Sequence, residues 1–124
     1  VYGDDYETPD GSAIRDYIHV VDLAKAHVAA IKRLEENKSG LNYDVFNIGT
    51  GTGSSVLEII AAFEQSTGEQ LDYKIGPRRA GDIVQIYGDV TKSNQELGWK
   101  AALDINEMMR SAWEWEKYIK ANPF

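Results

Sequence analysis

The chain has 124 residues, 43% of them hydrophobic and 27% charged, with a net charge of −7 and no cysteine. That length suits one compact domain, and the absence of cysteine excludes disulfides and thiolate metal sites. The acidic balance argues against nucleic-acid and anionic-membrane partners, which require basic stripes, so any phosphate site must be built from local arginines.

No run of 18 apolar residues occurs and nothing at the N-terminus resembles a signal peptide, so the cytoplasm is the expected default location and no membrane partner is expected. The chain opens Val1-Tyr2-Gly3-Asp4-Asp5, without an initiator methionine. An apolar pair ahead of a turn reads as the tail of a strand, so a piece of a longer protein is expected.

Residues 4–12 (DDYETPDGS) are rich in turn formers and acids and read as a solvated loop. Residues 15–21 (RDYIHVV) carry the aromatic and β-branched residues of a strand. Asp22 then stands where a helix cap belongs, and Leu23, Ala26, Ala30, Ile31 and Leu34 recur at helical spacing up to Ser39-Gly40. Residues 43–48 (YDVFNI) read as a buried strand and residues 49–53 as a glycine-rich turn.

Ser55 and Glu58 have the spacing of a capping box, which predicts a helix from there to Gly68. Residues 71–75 (LDYKI) alternate like a strand, residues 76–82 (GPRRAGD) form a loop, and residues 83–87 a short extended piece. A short helix over residues 92–97 stops at Gly98. The last helix runs from Asp104 to about Lys120, with Asp104 and Glu107 as capping residues and Met108, Ala112, Trp115 and Ile119 as its stripe. Alternating strands and helices place the chain in the α/β class.

The Gly49-Thr-Gly51-Thr-Gly53 turn lies between a strand and a helix, where a dinucleotide fingerprint would sit, but Ser54 takes the place of the last glycine. A tight turn whose free amides could touch a ligand is the better reading. Arg15 and Arg79 have the planar fork that matches phosphate oxygens, and a carboxylate such as Asp82 can accept from ribose hydroxyls. Scattered ion pairs of a surface loop are the plainer alternative.

His19 and His27 lack a third ligand, so no metal is expected. Asp4, Asp5, Glu7 and Asp10 fail calcium-loop spacing. Trp99, Trp113 and Trp115 suit packing better than sugar stacking. No nucleophile has a base beside it.

Longer runs carry a resemblance. Residues 11–27 (GSAIRDYIHVVDLAKAH), residues 46–51 (FNIGTG), Ser55-Val56-Leu57, residues 77–82 (PRRAGD), residues 96–99 (ELGW) and Trp113-Glu114-Trp115 resemble, in order and across the whole chain, blocks of the UDP-glucose 4-epimerases. The resemblance implies an extended short-chain dehydrogenase/reductase, with an N-terminal Rossmann domain holding NAD and a smaller C-terminal domain holding the nucleotide sugar. Residues 1–124 would be that C-terminal domain, a small mixed α/β unit lacking most of the Rossmann domain.

The likeness further implies that Arg15 and Arg79 bind the UDP diphosphate and Asp82 the ribose. It places Tyr17 and Val56 along the uridine pocket and Val1-Tyr2 at the uracil end. It also implies that residues 43–48 complete the sheet of the cofactor domain. Ile86 stands where some members carry tyrosine and others a small residue associated with N-acetylated sugars, so acceptance of such sugars stays open.

In the family's chemistry NAD⁺ takes hydride from C4 while the tyrosine of a Tyr-x-x-x-Lys motif accepts the hydroxyl proton. The 4-keto sugar then turns over and is reduced on its other face. This chain holds neither that motif nor the NAD fingerprint, so it contains no catalytic residue and is expected to be inactive alone. The implied partners are UDP-glucose and UDP-galactose, with a homodimer at full length and a monomer for these residues alone. A nucleotide-sugar dehydratase or decarboxylase shares the RD-x-x-x-V-x-D core and remains an alternative, as does a non-enzymatic nucleotide-binding module.

Overall fold

The computed structural model describes residues 1–36, 40 and 42–123. Among them the elements run β1 (Ile14–Arg15), α1 (Val20–Glu36), β2 (Ser54–Ser55), α2 (Val56–Thr67), β3 (Gln85–Ile86), α3 (Thr91–Glu96) and α4 (Ile105–Ala121). The sheet has the order β2-β1-β3. β1 lies antiparallel to β2, with Ile14 opposite Ser55, and parallel to β3, with Arg15 opposite Ile86. The α/β class is as expected, but the sheet is far smaller than the sequence suggests.

The strand expected over residues 15–21 ends at Arg15, because Val20 already begins α1. Asp22 is not the cap of that helix. His19 fills the role: its Nδ1 accepts from the Val21 amide at 3.0 Å, and its carbonyl accepts from the Leu23 amide. With Nδ1 occupied as an acceptor, Nε2 carries the proton and donates to Ser111 Oγ at 2.9 Å, which ties the start of α1 to α4. Asp22 instead turns inward, 1% exposed, and its Oδ2 accepts from the amides of Ala102 and Leu103 at 3.0 and 2.8 Å. The expected end of α1 at Ser39 lies outside the described residues.

The capping box of α2 is complete, and Gly68 closes the helix in the left-handed region at φ 76°. α4 begins with only half a box. Asp104 accepts from the Glu107 amide, but the Glu107 carboxylate turns to Arg110 at 2.6 Å. α2 and α4 pack against each other, with the rings of Phe63 and Trp113 edge-on at 5.7 Å. That contact shifts the inward face of α4: Met108 is buried, but Ala112 and Trp115 of the expected stripe are exposed, and Trp115 stacks on Tyr118.

The apolar core is thin: Tyr6, Ala13, Ala26, Ala62, Trp99 and Met108. Ile31 and Leu34 of the expected α1 stripe are exposed, as are Val20 and Val28. Residues 43–48 belong to no strand. Asp44, Phe46 and Ile48 are half-buried, but Tyr43 is 75% and Val45 59% exposed. The run is clamped from one side: Asp44 pairs with Arg33 and Lys92, and both cations lie over the Phe46 ring, at 5.4 and 4.6 Å.

Residues 71–75 are likewise exposed and form no strand, for want of a second row of partners. One bridge between Tyr2 and Gly76 marks where the chain start lies. No helix among the described residues is long and apolar enough to cross a membrane.

Both Asp22 bonds fall on a single oxygen, which fixes a prediction. Asp22→Asn keeps an acceptor in that place and costs about 1 kcal/mol, whereas Asp22→Ala strands two amides and costs about 2–4 kcal/mol. Urea unfolding midpoints of the two variants against the parent protein would check the order.

Candidate functional site

β1 ends at Arg15 and Asp16 follows directly, and the two side chains reach different segments. The Arg15 Nη1 donates to the carbonyls of Ile14 and Ile83 at 2.7 and 2.9 Å, which fixes the guanidinium across β1 and the entry to β3. Its Nη2 reaches towards Asp82 Oδ1 at 3.6 Å. Arg79 Nη2 addresses the same oxygen at 2.9 Å. Asp82 thus bridges both arginines expected at a phosphate, and among the described residues its Oδ2 makes no hydrogen bond. The Arg79 contact and the nearby Arg15 charge hold the Asp82 carboxyl below its ordinary pKa.

Arg79 lies 5.6 Å from the centre of the Tyr2 ring. Bonds between the main chains of Val1, Gly3 and Gly76 set that ring against the start of the arginine loop. Ile86, half exposed, is level with Arg15 one strand away.

Arg78 serves differently from its neighbour. It pairs with Asp5 at 2.7 Å and lies 4.2 Å over the buried Tyr6 ring, so it fastens the 76–82 loop to residues 5–6.

Val56 and Tyr17 occupy the β2 side. The Val56 amide donates to Ala13 O at 3.2 Å. Half-buried Tyr17 lines a cavity of about 440 Å³ together with Thr50, Thr52, Ser54, Lys100 and Met108. Burial pushes the Tyr17 phenol pKa up, with the Arg15 charge opposing. The fold therefore brings Arg15, Arg79, Asp82, Tyr2 and Ile86 to one side of the small sheet and leaves Val56 and Tyr17 on the other, with Arg15 central.

The central amides of the glycine-rich turn, those of Thr50, Gly51 and Thr52, are taken within the chain. Asp16 Oδ1 accepts from the Thr50 amide and hydroxyl at 2.9 and 2.6 Å, and Oδ2 accepts from the amides of Gly51 and Gly88 at 3.1 and 3.2 Å. A side chain at Gly49 would collide with that carboxylate, and Gly51 has φ +75° with Val90 packed against it. The turn is an anion-binding concavity already filled by the chain's own anion.

The start of α2 is closed in the same way. The amides of Val56, Leu57 and Glu58 donate to Ala13 O, Ser12 Oγ and Ser55 Oγ. Asp10, expected as a solvated acid, completes this network by accepting from the Ser12 amide and hydroxyl and from the Ser55 hydroxyl.

Asp10, Asp16 and Asp22 are the residues that sequence reasoning missed. The signal was present as a bookkeeping question about which acceptor serves the amides of a glycine turn and of a helix start. His19 and His27 each spend a ring nitrogen on the chain itself, and no cluster of three metal-binding side chains occurs among the described residues.

Residues 1–112 match the family described as GDP-mannose 4,6 dehydratase. The chain belongs to this family. Its similar relatives are UDP-glucose 4-epimerases of the extended short-chain dehydrogenase/reductase type. The enzyme of Bifidobacterium longum is 54% identical over 116 residues, which are 94% of this chain and 33% of that protein.

Two solved structures follow the same course. A Stenotrophomonas maltophila UDP-glucose 4-epimerase with bound NAD and formylated UDP-arabinopyranose aligns over 98% of this chain and 35% of its own, at 45% identity and TM-score 0.92. The Bifidobacterium longum enzyme in complex with NAD⁺ and UDP aligns over 99% of this chain and 35% of its own, at 49% identity and TM-score 0.83. The chain spans about a third of the length of these relatives.

Burial pushes the carboxyls of Asp10 and Asp16 upward, but their hydrogen bonds outweigh it: the Ser55 and Ser12 hydroxyls for Asp10, and the Thr50, Gly88 and Gly51 donors for Asp16. Both end below the ordinary 3.8. A lowered folded-state value means stability that is complete above the unfolded-state pKa and lost as pH falls through the folded one. The protein should therefore lose stability as pH drops below about 4, and Asp16→Asn should flatten that acid limb. Because both Asp16 oxygens are used, the asparagine NH₂ meets donors in either orientation, and the variant should cost about 2–3 kcal/mol at pH 7. Urea unfolding as a function of pH would check both.

Proposed function

We propose that these residues are the nucleotide-sugar-binding part of an NAD-dependent UDP-glucose 4-epimerase, which interconverts UDP-glucose and UDP-galactose. The observation that carries this reading is the convergence of Arg15 and Arg79 on one oxygen of Asp82, in a chain whose net charge is −7. Two guanidiniums at one point supply the fork geometry that a diphosphate needs. Each contact to phosphate is worth about 1.5–3 kcal/mol.

On this reading Asp82 receives the ribose, Tyr17 and Val56 line the uridine pocket, Val1-Tyr2 hold the uracil end, and Ile86 stands toward the sugar. That binding energy lies away from the reacting carbon, so it holds the nucleotide while leaving the hexose free to present either face. The relatives solved with NAD and with UDP or a UDP-sugar support the same assignment.

The described residues do not fit NAD themselves. The turn at 49–53 lacks the fingerprint spacing, its Thr50 and Gly51 amides are held by Asp16, and the first amides of α2 are satisfied within the chain. NAD and the catalytic tyrosine are assigned to the remainder of a longer protein, and these residues alone bind without turnover. The homodimer belongs to the same proposal.

A second reading, a nucleotide-sugar dehydratase, is favoured by the description of the matching family. Nuclear magnetic resonance of the products separates the two. The full-length protein given UDP-glucose and NAD should yield UDP-galactose, and a dehydrated 4-keto sugar would replace the epimerase reading. In the same protein Arg79→Ala should weaken UDP binding tenfold or more, about 1.4 kcal/mol. An unchanged calorimetric affinity would remove Arg79 from the site.

A further inference from the structure

Two arginines that share a carboxylate do not form a simple anion trap. Asp82 Oδ1 stands 2.9 Å from Arg79 and 3.6 Å from Arg15, and the Asp82 side chain is only 14% exposed. The carboxylate has little room to leave. Asp82 donates its own amide to Arg79 O at 3.2 Å, which closes the 79–82 turn and holds the acid three residues from its partner. Arg15 is equally fixed, with Nη1 spent on two carbonyls.

An anion that engages both guanidiniums must therefore sit beside a resident negative charge. Two kinds of ligand meet this acid differently. Free pyrophosphate brings negative charge and oxygen acceptors, so the carboxylate repels it and receives nothing in return. A diphosphate esterified to ribose also brings hydroxyl donors, and Asp82 Oδ2, which makes no hydrogen bond among the described residues, can accept them. The same oxygen pair then penalises one ligand and rewards the other, which is how a polar site discriminates by a repulsive element as well as an attractive one.

We infer that Asp82 makes the arginine pair selective for ribose-linked diphosphates over free polyphosphate anions. This inference rests on the nucleotide-sugar reading of the site and adds what that reading leaves open, the exclusion of competing inorganic anions.

The test uses the full-length protein and two probes, UDP and inorganic pyrophosphate, in metal-free buffer by calorimetric titration. For the parent, Asp82→Asn and Asp82→Ser, the quantity read is the ratio of the pyrophosphate Kd to the UDP Kd. The ratio should fall at least fivefold in both variants, as the guanidiniums are released and the ribose acceptor is weakened. A smaller fall, no change or a rise, with UDP still bound by the parent, overturns the selectivity of Asp82 and leaves the diphosphate site standing. Failure of the parent protein to bind UDP overturns the site and this inference together.

Discussion

The carboxylate of Asp16 is the contact on which the arrangement of this domain depends. Strands two residues long cannot fix three loops by main-chain pairing alone. Asp16 gathers Thr50, Gly51 and Gly88 with four hydrogen bonds, three of them from main-chain amides that would otherwise lack a partner. Hydrogen bonds to an ionised acceptor are roughly twice as strong as neutral ones. The backbone of Arg15, which directly precedes Asp16, shares this anchorage. The guanidinium itself is placed by the carbonyls of Ile14 and Ile83.

The same device recurs at a spacing of six residues: Asp10, Asp16 and Asp22. Asp10 secures the start of α2 through Ser12 and Ser55, and Asp22 secures residues 102–103 ahead of α4. Residues 10–22 thus act as a spine with an acid aimed at each distant segment. This substitutes for a large apolar core, of which little is present. The apolar surface left on α1 and along residues 43–48 has no cover among the described residues, in a chain that spans about a third of its relatives.

Features set by local rules were legible in the sequence. The capping box at Ser55 and Glu58, the left-handed stop at Gly68, and the positions of α3 and α4 follow from backbone donors that must be satisfied within a turn or so. Arg15, Arg79 and Asp82 were singled out as candidate nucleotide-binding residues by their chemistry and through resemblance, although their meeting at one oxygen was not legible. The strands failed for a physical reason. Apolar alternation at 43–48 and 71–75 reports a surface suited to a sheet, and it is silent on whether a neighbouring strand is present to pair with. Asp22 was misread because an acid at a helix start is normally a cap, and only the fold reveals that His19 has already taken that place.

On the proposed reading an acidic chain binds a diphosphate, an apparent contradiction that distance resolves. At physiological ionic strength charges beyond about 8 Å are largely screened, so the net charge of −7 governs approach far less than the groups in contact. What matters is the local sum at the sheet edge: two guanidiniums against one carboxylate, with Arg78 diverted to Asp5. The remaining positive charge is small and directional. Arg15 is immobilised by carbonyls, while Arg79, 65% exposed, stays open to a ligand on its outer side. On the proposed reading the rigid arginine sets where the phosphates lie, the exposed one meets them from its open side, and the acid between them makes the pair selective.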